Sequence, residues 1–112
     1  QEVVWRGEEA RLSRLPILTS WPCDGGPFIT LPMVATVDPE SGIPNLGMYR
    51  MQIFDDHTTG MHWHRHKTGA RHYDAYKRLG KRMPVSVAIG GDPTYIYSAT
   101  APMPDNMDEM LL

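Results

Sequence analysis

Three histidines alternate within Met61-His62-Trp63-His64-Arg65-His66-Lys67. On a β-strand, side chains alternate between faces, so His62, His64 and His66 would share one face, with Trp63 and Arg65 on the other. Three imidazoles on one face can ligate a metal, or join Arg65 and Lys67 around a phosphate. An exposed strand with solvated histidines has the same pattern. A second stretch, Asn45-Leu46-Gly47-Met48-Tyr49-Arg50, offers a glycine that lets backbone approach a ligand and a planar guanidinium fork suited to a carboxylate or phosphate. The two stretches are one hairpin apart, which would make them neighbours. Cys23 has no basic or histidine neighbour in sequence and is a poor nucleophile candidate.

A His-x-His pair on a barrel strand also opens the ligand set of cupin-type metal sites. Those sites need a glutamate three or four residues after the second histidine, and Arg65-His66-Lys67-Thr68 follow His64 instead.

Several elements must position these residues. Residues 1–27 are irregular, with a helical turn near Glu8 and then Pro16, Pro22, Gly25, Gly26 and Pro27 as punctuation. Residues 28–37 predict a strand interrupted at Pro32, which argues for an edge or bulge. A turn at 38–42 leads to a strand over 45–54, a hairpin loop at 55–60 and a returning strand over 61–66. The spacing of Ala70, Tyr73, Tyr76 and Leu79 predicts an amphipathic helix over 69–79, capped by Thr68, stopped by Gly80 and buried along its tyrosine stripe. A short buried strand over 84–89 precedes a helix with Asp92 as N-cap and Pro93 in its first turn. Asp105 is the expected cap of a third helix, which the chain leaves unfinished at Asp108-Glu109-Met110-Leu111-Leu112. Hairpin-connected strands come first, so the class is mainly antiparallel β with helices (α+β), not a doubly wound fold.

Composition excludes other classes. The 112 residues carry 11 basic and 13 acidic side chains, so no basic surface is available for a phosphate backbone, and no nucleic-acid partner is expected. No apolar run reaches the roughly 20 residues of a transmembrane helix. No charged segment followed by an apolar one opens the chain, so no signal peptide is expected. One cysteine rules out an internal disulfide framework and a CxxC zinc site, and suits a reducing, cytoplasmic compartment. Neither a GxGxxG nor a GxxxxGK[ST] motif occurs. Eight methionines suit a pliable core or an interface.

The runs Asn45-Leu46-Gly47-Met48-Tyr49-Arg50-Met51-Gln52, Thr58-Thr59-Gly60-Met61-His62-Trp63-His64-Arg65-His66-Lys67 and Gly69-Ala70-Arg71-His72 together resemble the central domain of the UbiD family of decarboxylases. Arg82-Met83-Pro84-Val85, Gly90-Gly91-Asp92-Pro93 and Ala99-Thr100-Ala101-Pro102-Met103-Pro104 extend the resemblance, which covers residues 28–112. The spelling is most similar to bacterial members of ubiquinone or menaquinone biosynthesis.

The resemblance implies an FMN-binding split barrel over 28–112, preceded by an irregular segment over 1–27, in a piece of a longer enzyme. It implies prenylated FMN with Mn²⁺ or a similar divalent cation, and K⁺ in some members. Carried over by position, the flavin contacts are Met48, Tyr49, Arg50, His62, Trp63, His64, Lys67 and Thr68. The metal ligands are Asn45 and His66, a mixed oxygen and nitrogen pair that Mn²⁺ tolerates. Arg50 matches the arginine that pairs with the substrate carboxylate. Many members carry a glycine pair where this chain has Thr68-Gly69. The family's third metal ligand, a glutamate, and its proton-donating acid are expected past residue 112. The implied activity is non-oxidative decarboxylation of an aromatic or conjugated acid by a homo-oligomeric parent, peripheral to the membrane if the substrate is prenylated. The 112 residues alone are expected to be inactive. The opposing expectation is a stand-alone flavin- or metal-binding module without catalysis.

Overall fold

The computed structural model describes residues 1–111. In chain order the strands are β1 (Phe28–Ile29), β2 (Met33–Val37), β3 (Pro44–Met48), β4 (Met51–Ile53), β5 (Thr59–Met61) and β6 (Ser86–Ala88). The helices are α1 (Thr68–Arg78) and α2 (Pro93–Ser98), with 3-10 turns at Gly7–Glu9, Leu12–Arg14 and Glu109–Leu111. Antiparallel sheets with a few helices are thus the class found. The chain folds as two compact units, one of Gln1–Thr30 with Arg50–His62, the other of Leu31–Tyr49 with the residues from Trp63 onward.

In the first unit the sheet order is β1-β4-β5, both pairings antiparallel. Ile29 lies opposite Met51, and both are buried. The N-terminal stretch is tied on by backbone bonds, Leu12 N–H to the Asp56 carbonyl at 3.0 Å and Phe28 N–H to the Leu18 carbonyl at 3.2 Å. The Asp56 carboxylate adds a further anchor by accepting the Ser13 N–H at 3.0 Å.

The second unit contains the sheet β3-β2-β6, also antiparallel, with β2 at its centre. Val34 is wholly buried and Thr36 nearly so, as expected for the middle strand of a sheet that α1 covers. α1 packs on β2 and β3 through Gly69, His72 and Ala75. The 3-10 turn Glu109–Leu111 packs on β3 and α2. The Asp92 side chain accepts the Thr94 N–H at 2.8 Å, the cap expected from Asp92-Pro93.

Several sequence expectations are corrected. Residues 28–37 form two strands in different sheets, because Pro32 has no N–H to give a ladder and holds the preceding residue away from regular pairing. Residues 45–54 likewise divide, β3 ending at Met48 and β4 starting at Met51. β5 ends at Met61, and the chain then turns, the Lys67 N–H reaching the His64 carbonyl at 2.9 Å. His62, His64 and His66 are therefore not on one strand, and the three-histidine face does not form.

Lys67, not Thr68, is the N-cap of α1, without a side-chain cap bond, while Gly80 follows the helix with φ 65° as its sequence predicts. The buried stripe of α1 lies one position away from the tyrosines. Tyr73 and Leu79 are about half exposed, while His72 is accepted into the interior because Thr36 supplies a hydrogen bond. β6 is exposed at all three residues, as an edge strand with β2 on one side only. Asp105 is not a helix cap. Its carboxylate pairs with Arg71 at 2.9 Å, and Asp108 caps the final turn by accepting the Met110 N–H. Leu112 lies outside the described residues.

Gly47 has a use other than ligand approach. A Cβ there would lie 2.5 Å from the Tyr49 ring. That ring cannot easily move, since its hydroxyl accepts the Gly69 N–H at 3.1 Å and it packs T-shaped with the Trp63 ring at a centroid distance of 4.7 Å. Gly47→Ala should therefore destabilise the chain by about 1–3 kcal/mol, the usual range for overpacking. A urea midpoint unchanged by the substitution would show that the ring can yield.

Candidate functional site

The second unit holds a cleft of about 460 Å³, within the range of small-molecule and cofactor sites. One wall is β3 and its exit, Asn45 to Tyr49; another is His66, Lys67 and Thr68 at the start of α1. The segment from Ala99 to Met103, with Asp105 and Glu109, completes it. Of the residues named from the resemblance, Asn45, Met48, Tyr49, His66, Lys67 and Thr68 thus line one cleft. Trp63 packs edge-on against Tyr49. His64 is exposed, does not line the cleft, and contributes its carbonyl to the turn before α1.

Arg50 and His62 belong to the first unit, where Phe28 organises both. The Arg50 guanidinium lies over the Phe28 ring, 4.5 Å from its centroid, and the His62 ring meets Phe28 edge-on at 5.5 Å. The backbone fixes their spacing, the His62 N–H donating to the Arg50 carbonyl at 3.0 Å. Stacking on an aromatic face orients a guanidinium without consuming its N–H donors. Among the described residues no carboxylate pairs with Arg50.

At the start of α1, Gly69 N–H is taken by Tyr49, and the following two N–H groups by the Lys67 carbonyl. No side chain caps this helix start, the Thr68 N–H has no partner among the described residues, and Lys67 and Thr68 both line the cleft. This combination suits an anion such as a phosphate.

The cleft also contains a residue that the sequence reading placed elsewhere. Glu109 is 7% exposed, and one carboxylate oxygen accepts the Leu46 N–H at 2.7 Å, while the other makes no hydrogen bond among the described residues. Asn45, the next residue along β3, is 5% exposed, and its Nδ2 has no partner among the described residues. The carboxylate expected past residue 112 therefore has a candidate within the chain. No local pattern signalled it, since its apolar neighbours Met107, Met110 and Leu111 are themselves exposed. Among the described residues no three His, Cys, Asp or Glu side chains form a metal-binding cluster, so a metal here would need the Asn45 amide as well.

Behind the cleft, the Thr36 hydroxyl and His72 Nδ1 are 2.9 Å apart. Burial pushes the His72 pKa below 6.5, with nearby Asp38 and Glu109 opposing the shift and Arg71 adding to it. The unfolded chain takes up a proton near pH 6.5 while the folded chain resists until lower pH, so the unfolded state holds more protons in that window. Stability should fall as pH drops below about 6.5, and His72→Gln should flatten that slope. Urea midpoints at several pH values measure both.

The family model described as "3-octaprenyl-4-hydroxybenzoate carboxy-lyase Rift-related domain" matches residues 1–112. A Chlamydia pneumoniae protein, named as one of the subunits of a 4-hydroxybenzoate decarboxylase, is 47% identical over 100 residues, 89% of this chain and 17% of the relative. The structure of an evolved dimeric form of the UbiD-class enzyme HmfF from Pelotomaculum thermopropionicum, in complex with prenylated FMN, superposes with TM-score 0.87 at 27% identity, covering 92% of this chain and 24% of that one. The closed form of Sedimentibacter hydroxybenzoicus vanillic acid decarboxylase gives TM-score 0.81 at 28% identity, over 85% of this chain and 21% of that one. The chain spans between 17% and 23% of the curated relatives it matches. With a family model matched along its whole length, the chain belongs to the UbiD family.

Proposed function

We propose that the chain is the cofactor-holding part of a larger carboxy-lyase that removes CO₂ from an aromatic or conjugated carboxylic acid without net oxidation, with prenylated FMN as cofactor. The observation that carries this reading is the single cleft where Asn45, His66, Lys67, Thr68 and Glu109 meet. A flavin phosphate suits the Thr68 N–H and the Lys67 ammonium at the start of α1. A divalent cation of the Mn²⁺ type suits an imidazole, a buried carboxylate with one free oxygen and a buried amide whose nitrogen is unpartnered. Turned about its last bond, that amide would present its oxygen, the atom a cation takes, at the position of the unpartnered nitrogen. When bound, the prenylated flavin supplies the electron sink for loss of CO₂.

The remaining roles fall to the chain. His66, Asn45 and Glu109 would hold the cation, and Tyr49, backed by Trp63, forms a rigid wall. Arg50, paired with no carboxylate among the described residues, would bind the substrate carboxylate. A hydroxybenzoate-type substrate, and with it a place in quinone biosynthesis, is supported by the description of the family model and the name of the Chlamydia pneumoniae relative.

Protonation of the product carbon needs an acid that keeps its proton near neutral pH. Asp55 and Asp56 do not qualify. Hydrogen bonds hold both carboxyl groups below the usual range, chiefly from the Thr58 side chain for Asp55 and from Ser13 for Asp56. The full-length parent with prenylated FMN and Mn²⁺ should therefore release CO₂ from an aromatic acid, and residues 1–112 alone should not. Turnover by the isolated chain would place the acid within it. Flavin binding by a parent that decarboxylates no acid would favour a non-catalytic module.

A further inference from the structure

His72 is a buried histidine that the proposed reaction does not use. It sits at 8% exposure on the inner face of α1, where an aliphatic residue would pack without a polar group to satisfy. Its Nδ1 is bound to Thr36, itself 2% exposed and directly opposite Asn45 in the pairing of β2 with β3. His72 also lines a small second cavity of about 10 Å³, which shares Asn45, Thr68 and Glu109 with the main cleft. That is about the size at which a cavity admits one water, provided polar groups receive it. Nε2 is the ring's remaining polar atom, and Glu109 has one carboxylate oxygen not engaged by Leu46.

We propose that His72 is a positioning residue for Glu109. It is held by Thr36 and presents Nε2 to a single buried water that also binds the free Glu109 oxygen. The inference rests on the reading of Glu109 as a working group of the cleft. The donors and acceptors balance. The Thr36 hydroxyl donates to Nδ1, which places the ring proton on Nε2. Nε2–H then donates to the water, and the water donates to the carboxylate. A carboxylate gripped on both oxygens, by the Leu46 N–H and by this water, has one orientation in the cleft. One gripped on a single oxygen can rotate. An outer-shell partner of this kind typically changes metal affinity by 10- to 100-fold when removed.

The test uses the full-length parent in three forms: wild type, His72→Leu and His72→Gln. Gln can place an amide N–H near the position of Nε2, so it is the conservative rescue. A crystal structure of the wild type should show a water within hydrogen-bond distance of both Nε2 and Glu109. His72→Leu should lose that water, turn the Glu109 carboxylate, and weaken Mn²⁺ binding, followed by electron paramagnetic resonance with the metal alone, by about 10-fold. His72→Gln should recover most of that loss. A dry cavity in the wild type, an unmoved Glu109 in His72→Leu, or equal loss in both variants would overturn the role of His72. If the wild-type parent binds no Mn²⁺, or Glu109→Gln binds it as tightly as wild type, the reading of the cleft fails instead. The water and the Glu109 orientation then still decide for or against His72.

Discussion

Arg50→Lys in the full-length parent should lower kcat by about 10²-fold or more, equivalent to about 3 kcal/mol of transition-state stabilisation. Charge is conserved in this change, so the loss measures geometry. The Arg50 guanidinium lies over Phe28, 4.5 Å from the ring centroid, a contact that uses none of its N–H donors. A lysine ammonium offers a point charge with no planar fork and cannot grip both oxygens of a carboxylate in the same way. Bound flavin, read from the visible spectrum, should change far less than turnover, because the arginine is assigned to the substrate. Near-normal turnover in the lysine variant removes Arg50 from the mechanism. A matching loss of flavin would reassign it to the cofactor.

Glu109→Gln should weaken Mn²⁺ binding by the parent by about 10²-fold, on the order expected when the anionic member of a mixed ligand set is neutralised. The substitution is a narrow one. A glutamine carbonyl can still accept the Leu46 N–H that the carboxylate accepts at 2.7 Å, so the 3-10 turn keeps its anchor on β3. Thermal stability of the metal-free protein should stay within about 1 kcal/mol, the scale of one hydrogen bond. Unchanged Mn²⁺ affinity would make Glu109 a structural tether only. A large loss of stability would show that its charge holds the turn in place, and the metal role would then need Glu109→Asp to separate the two effects.

The sequence alone carried the class of fold and much of the cleft. Turn chemistry at 38–42, the Asp92-Pro93 helix start and Gly80 after α1 are local rules satisfied by local atoms, and they hold in the structure. Asn45, His66, Lys67 and Thr68 were named from motif resemblance, and one cleft contains them all. Strand ends were not legible. Pro32 marks an interruption that reads as an edge or bulge but not as a change of sheet, and nothing at Tyr49-Arg50 marks one, because buried residues on both sides of each break look alike whichever sheet they join. The alternating histidines read as a strand since period two is all that the sequence offers. The turn that ends β5 is set by the Lys67 N–H reaching the His64 carbonyl. Only the tertiary structure decided which face of α1 is buried, because His72 becomes an acceptable core residue once Thr36 is placed against it from another element. It also decided that Glu109, 64 positions beyond Asn45 in the chain, reaches the same cleft. Burying a carboxylate needs a donor to receive it, and that donor is the Leu46 backbone N–H on β3, a partner that no local pattern around residue 109 could announce.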